Sequence, residues 1–338
     1  MRRFAAASLP ALLVLAAVCS SLARSATQRV DLAPRFAPGD MLRYRIATST
    51  SSNEHTISPI INPEGGSEFK QNTNFLVRLD VLASPSTKSD SGSAPASGSV
   101  RFRATFEKSH AISETDAFAP AADTLDDDID KLEGRSIEFT LGSAGEITGV
   151  TGLDQITTDP AAAQRVLSWT SVLSAPSAFP KDRLEVGRKW DAERTLTGLP
   201  LTGVIWHSES SYLRNEPCAP SSAASAKSET CAVILTRFEI SRRGKDHSDA
   251  TPENYIHNGL RTSGSWTGSG ESLNSISLSS GFLVSSTQTA TQDMDYEILS
   301  ASSGSHIRHV GHTKTQTEIT LVAASASVAP SAPAPPSH

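Results

Sequence analysis

A two-residue alternation of apolar and polar side chains recurs along this chain, and it constrains the fold more than any other feature. Leu42, Tyr44 and Ile46 alternate with Arg43 and Arg45, and Phe75, Val77, Leu79 and Val81 follow the same rule one segment later. Val100, Phe102, Ala104 and Phe106 are interleaved with Arg101, Arg103, Thr105 and Glu107. Ile137, Phe139 and Leu141 lead into Gly142-Ser143-Ala144-Gly145, with Ile147 beyond it, and Ala232, Ile234, Thr236, Phe238 and Ile240 repeat the design. Side chains of a strand point alternately to its two faces, so this pattern predicts strands with one apolar and one polar face. Such strands belong to an antiparallel sheet covered on one side. Burying a Phe or Val fully is worth ~1.5–3 kcal/mol, so the apolar faces must meet other apolar groups.

The carboxyl-terminal half is built differently. Residues 260–291 are rich in Ser, Thr and Gly, with Trp266, Ile276, Leu278, Phe282 and Val284 as separated apolar anchors. Gly in a strand suits a sharp bend or an exposed position, which is the expectation here. Helix is scarce. Asp159-Pro160 reads as a cap followed by a first-turn proline. Ala163, Val166, Leu167, Thr170 and Leu173 then predict one main helix over about 160–174 with a single apolar stripe. Residues 125–132 read as a short acidic helix or turn. The chain is therefore mainly β.

The amino terminus reads as an export signal. Arg2 and Arg3 precede an uncharged, largely apolar run from Phe4 to Leu22, and Ala23-Arg24-Ser25 offers small residues for cleavage. That is a secretory layout, with residues 1–25 removed. The alternatives are a membrane anchor, which needs roughly 20 consecutive apolar residues, and a lipoprotein at Cys19. Pro10 and several serines weaken the first, and bulky Val18 spoils the small-residue site of the second. No later segment is long and apolar enough to span a membrane. The expected location is the periplasm or the exterior.

Removing the signal leaves Cys218 and Cys231, a pair that reads as a disulfide in an oxidising compartment. Predicted strands flank a small polar segment between them, so the bridge would close the base of a long hairpin loop.

Organisation follows from composition. Residues 84–97 and 219–228 are Ser/Ala/Pro loops, and residues 323–338 form a tail too poor in bulky apolar groups to order itself. Phe36-Ala37-Pro38-Gly39-Asp40 and Leu184-Glu185-Val186-Gly187-Arg188-Lys189-Trp190 are similar strand entries. They suggest two pseudo-repeated halves, 26–175 with the central helix and 176–322. With 30 basic and 36 acidic residues interspersed and no basic patch, nucleic acid is excluded as a partner.

The stretch Phe179-Pro180-Lys181-Asp182-Arg183 continuing to Trp190, the opening at Phe36–Asp40 and the hairpin around Gly145 resemble a group of secreted bacterial proteins of unknown function. These are similar in layout to the periplasmic lipoprotein-carrier superfamily. The resemblance implies a strongly curved antiparallel sheet, or incomplete barrel, with helices on its concave side and an apolar cavity for acyl chains. It carries over no catalytic residue.

Motifs for chemistry are few. His306, His309 and His312 are candidate metal ligands, but strand geometry puts His306 and His312 on one face and His309 on the other. Asp126, Asp128 and Asp130 open like a calcium loop, yet Lys131 stands where glycine is needed and Ile137 where the closing glutamate should be. Gly264-Ser265-Trp266-Thr267-Gly268-Ser269-Gly270 lacks the following helix of a phosphate site. Glu271, Asp293, Asp295 and Glu297 are candidate carboxylates that solvated strand faces also explain. There is no nucleophile elbow, zinc-protease motif or phosphate loop, and no cofactor motif. The expected function is a non-catalytic binding module for a lipid, a lipoprotein or another apolar ligand. The alternative is a structural or interaction protein of the cell envelope.

Overall fold

The computed structural model describes residues 29–57, 66–83, 99–116, 126–142, 147–156, 179–180, 182–218, 229–244 and 248–325. The export signal, the predicted helix at 160–174 and the loops at 84–97 and 219–228 lie outside these residues. Eleven strands form one curved, unclosed antiparallel sheet: β1 (Met41–Ile57), β2 (Gly66–Leu82), β3 (Val100–Thr115), β4 (Ser136–Leu141), β5 (Ile147–Thr151), β6 (Lys189–Thr195), β7 (Val204–Pro217), β8 (Thr230–Arg242), β9 (Leu260–Ser277), β10 (Leu283–Ser300) and β11 (His306–Ser325). The spatial order is β5-β4-β3-β2-β1-β11-β10-β9-β8-β7-β6. The first and last strands therefore meet in the middle, pairing from Met41↔Ser325 to Ile57↔Arg308. Each half is an up-and-down meander running outward from that seam.

This register corrects the predicted start of the tail. Residues 323–325 are strand, because main-chain pairing with β1 continues there whatever the side chains offer. Residues 326–338 lie outside the described part.

The strand count has a consequence for closure. Neighbours alternate in direction, so with an odd number of strands β5 and β6 at the two edges run the same way. They cannot join by the antiparallel pairing used everywhere else, and among the described residues the sheet stays open.

The alternating residues occupy one inner face. Tyr44, Phe75, Phe102, Phe106, Ile137 and Phe139 from the amino-terminal half share a core with Tyr212, Ala232, Ile234, Ile276 and Leu283 from the other half. The ends of the sheet curl together at this base. Val30, Leu32, Phe36 and Leu184, from segments outside the strands, complete the filling. Phe102 is only 2% exposed, edge-on to Phe36 at 4.9 Å and stacked on Phe139 at 5.6 Å. The outer face carries cross-strand ion pairs, such as Arg43–Glu107 at 2.6 Å and the pair Arg101 and Arg103 on Glu138 at 2.5 and 2.7 Å.

The two similar strand entries adopt one geometry. Gly39 and Gly187 have φ of 90° and 89°, a backbone open to glycine at little cost. Gly39 N donates to Val81 O and Val81 N to Asp40 O; Gly187 N donates to Tyr212 O and Tyr212 N to Arg188 O. Equivalent turns thus start the central β1 and the edge β6. At the far end of the β7–β8 hairpin, Cys218 and Cys231 form the expected disulfide, with Cα atoms 5.0 Å apart.

Candidate functional site

The upper part of the inner face holds a band of aromatic side chains running across the carboxyl-terminal half. It begins at Arg194 on β6, whose guanidinium lies over the Trp206 ring of β7 at 4.7 Å. Trp206 leans on Phe238 of β8 at 5.7 Å. Trp266 of β9 stacks with Tyr296 of β10 at 6.2 Å, and Tyr296 with His309 of β11 at 4.9 Å. Burial of this stack raises the Tyr296 hydroxyl to about 12 and lowers the His309 imidazole. The His309 ring also shares a hydrogen bond with the Thr56 hydroxyl at 3.2 Å.

Glycines make the band possible. Gly264, Gly268 and Gly270 stand on the inner face of β9 at even spacing, with Trp266 among them. A Cβ on Gly270 would lie 2.4 Å from Phe238 Cζ, and one on Gly264 2.4 Å from Tyr296 Cα. The Phe238 ring occupies the room that Gly270 leaves, and the β10 strand, mostly through its backbone, comes close against Gly264 and Gly268. β9 is an interior strand between β8 and β10, and its outward-facing Thr267, Ser269 and Glu271 are exposed. The signal was present in the sequence as glycine at positions i, i+4 and i+6 beside a tryptophan, a spacing that puts all four on one strand face.

Leu201, Val204, Phe238, Ile240, Ala250 and Trp266 are buried here as a second apolar cluster. Leu196, Leu199, Trp206, Met294 and Tyr296 flank it and are only partly covered by the described chain. Between this cluster and the core at the base, the inner face is lined by Ser210, Thr236, Ser272, Gln288 and Thr317. The amino-terminal apolar face, whose alternation most strongly suggested a lipid cavity, is filled by the chain's own side chains.

The three histidines do not converge. His306 lies 3.8 Å from Glu297, and His312 shares a 2.7 Å hydrogen bond with Asp293, both on the outer face, whereas His309 points inward. Among the described residues no three His, Cys, Asp or Glu side chains gather to hold a metal ion. The candidate carboxylates are each engaged: Asp295 by Arg308 at 2.6 Å, Glu271 by Arg237 at 3.8 Å, Glu297 and Asp293 by the histidines.

Two open grooves run along this outer face. One, of about 560 Å³, is lined by Asn53, His55, Asp293 and His312; the other, of about 920 Å³, by Ser51, Glu209, Arg237 and Lys314. Most of the residues lining both are polar or charged, with apolar surface between them. In the first, Thr267 is opposite Asp293, which is opposite His312, which is opposite Asn53. The hydroxyl therefore sits across from the carboxylate and not the imidazole, an order that does not make a nucleophile–base relay.

The acidic run has a structural role. Residues 126–130 form a short helix, α1, beside the part of β3 that extends beyond β4. Asp126 accepts from Ser113 N at 2.7 Å and Asp130 from Ala111 N at 3.2 Å. Two carboxylates one helical turn apart thus satisfy backbone donors that a longer β4 would have paired. Asp128 faces Lys131 instead, at 3.2 Å.

No protein-family model and no curated protein matches this chain. Among solved structures, one of lipovitellin described by its lipid–protein interactions aligns over 88% of this chain and 26% of its own, with 13% identity and a TM-score of 0.46. The chain thus spans about a quarter of that protein's length, and a likeness this distant carries no argument about the ligand. Among the described residues no helix is long and apolar enough to cross a membrane.

Proposed function

We propose that this protein is an exported, non-catalytic binding module that holds a lipid or other apolar ligand against the inner face of its open sheet. The observation that supports the reading is the aromatic band. Trp206, Leu196, Leu199, Met294 and Tyr296 present apolar surface that the described chain only partly covers, and the band reaches β6, an edge strand among the described residues. Binding sites of this class are concave, mostly apolar and edged by a few polar groups. The signal-like amino terminus and the Cys218–Cys231 bridge agree with an oxidising compartment. Native mass spectrometry of the protein exported by its host should show a bound lipid mass, and a fluorescent fatty acid should quench tryptophan emission. An apo mass together with no quenching would sink the reading.

The envelope-interaction alternative is favoured by a separate observation. The outer edges of β5 and β6 have no strand neighbour among the described residues, and such edges are templates for an added strand. Cross-linking in cells should then trap one recurrent partner through β6, and recovery of monomer alone would count against it.

A further inference from the structure

We propose that the ligand of the inner face is an anionic amphiphile, its oxyanion headgroup held by Arg194 and its apolar chain laid along Trp206, Leu196 and Leu199. This rests on the binding reading above and names the ligand class and the residue that selects it.

The argument is one of charge and position. Several arginines elsewhere on the strands are matched to carboxylates on the outer face: Arg43 with Glu107, Arg101 and Arg103 with Glu138, Arg308 with Asp295. Arg194 is different. Register puts it on the inner face opposite Trp206, and its contact there is the ring face. Among the described residues it has neither an ion pair nor a hydrogen bond. Glu193, the adjacent acid, points to the outer face and is taken by Arg243 at 2.7 Å.

The other guanidinium on this part of the inner face, Arg242, donates to Gly264 O at 3.0 Å and to Ser248 O at 3.1 Å, so it is committed to the loop. The strand carboxylate on the described inner face is Glu54, on β1 at the opposite end of the band. The rim at β6 is therefore cationic and uncompensated, and apolar surface begins one strand away.

The cation–π contact holds the guanidinium over Trp206, and its N–H donors have no partner among the described residues. Those donors form the fork which recognises carboxylate or phosphate oxygens two at a time. Arg194 is exposed by area, yet its surroundings remove enough water to lower its pKa, and a partly desolvated cation gains more from an anion than a solvated one. A neutral lipid would leave this group without a partner. An oxyanion at the head of an acyl chain would satisfy the guanidinium and the band together.

The test uses the mature protein and three probes sharing one chain: oleate, oleyl alcohol and oleoyl lysophosphatidate, titrated by tryptophan fluorescence and calorimetry. The wild type should bind the anionic probes at least about tenfold more tightly than the alcohol, as expected for one charge-assisted contact. Arg194→Gln should abolish that preference, weakening the anionic probes at least about tenfold relative to the alcohol, and Arg194→Lys should keep part of it. Circular dichroism of each variant checks that the edge strand still folds. The ratio of oleate to lysophosphatidate affinity tells which oxyanion is preferred. Equal binding of all three probes, unaffected by Arg194→Gln, would overturn the role of Arg194 while the apolar site stands. Failure of every probe to bind would overturn the binding reading and this inference with it, as when another part of the chain covers the band.

Discussion

The two halves of the sheet begin with the same turn and then solve the packing problem differently. At the base of β1–β4 every second residue is apolar, and the core fills by direct interdigitation, as Phe102 does between Phe36 and Phe139. In β7–β10 the inner face mixes aromatic groups with glycine and serine, and the Phe238 ring of β8 lies over Gly270 of β9. The first arrangement leaves little vacant surface. The second makes flat aromatic platforms with open flanks, which is the more useful surface for a ligand.

The sharpest way to break this comparison is to remove a filling residue from the first half. Phe102→Ala should destabilise the protein by about 3–5 kcal/mol, because it loses buried area and leaves a cavity; urea unfolding followed by tryptophan fluorescence reads this as a lower midpoint at unchanged slope. Next comes the staple of the second half. Replacing Cys218 and Cys231 by Ser should cost about 3 kcal/mol in the chain-entropy model, seen as a lower calorimetric melting temperature with the far-ultraviolet spectrum retained.

Gly270→Ala should cost about 1–3 kcal/mol by overpacking against the Phe238 ring. The comparison is sharpened if Phe238→Leu, damaging alone, is partly compensated in the double variant. A Gly270→Ala protein as stable as the parent would show that the glycine leaves spare room and that the platform account is wrong.

The smallest effect concerns the outer face. Arg103, and then Arg101, hold the Glu138 carboxyl below its ordinary range. A depressed folded-state pKa stabilises at neutral pH, and that contribution disappears as pH falls through the carboxylate range. Glu138 is 22% exposed, so the pair is worth only about 0.5–1 kcal/mol. Wild type and Glu138→Gln should therefore differ at pH 7 and converge near pH 3 in matched denaturation curves.

What was legible in the sequence divides along the same line. Phe75, Val77, Leu79 and Val81 announce strand and facing in one reading, because a period of two has a single structural solution. The Cys218–Cys231 bridge was legible because both residues flank a small polar loop between apolar strand patterns. The split of His306 and His312 from His309 followed from parity alone. The aromatic band was not legible as a site, since Arg194, Trp206, Trp266 and Tyr296 lie on four strands and meet only through register. Nor was the role of Asp126 and Asp130, whose partners belong to a strand end left bare by a shorter neighbour.

The sequence by itself determined that this chain makes antiparallel strands with one buried face, where its two entry turns fall and which cysteines pair, because each depends on residues close in the chain or on a short period. The tertiary structure decided that β1 pairs with β11, that eleven strands leave two like-directed edges, and that Arg194 stands unmatched above Trp206. Those outcomes depend on which strands become neighbours, and local pattern does not encode that choice: many pairings bury the same apolar faces, and only the summed packing of the whole sheet selects among them.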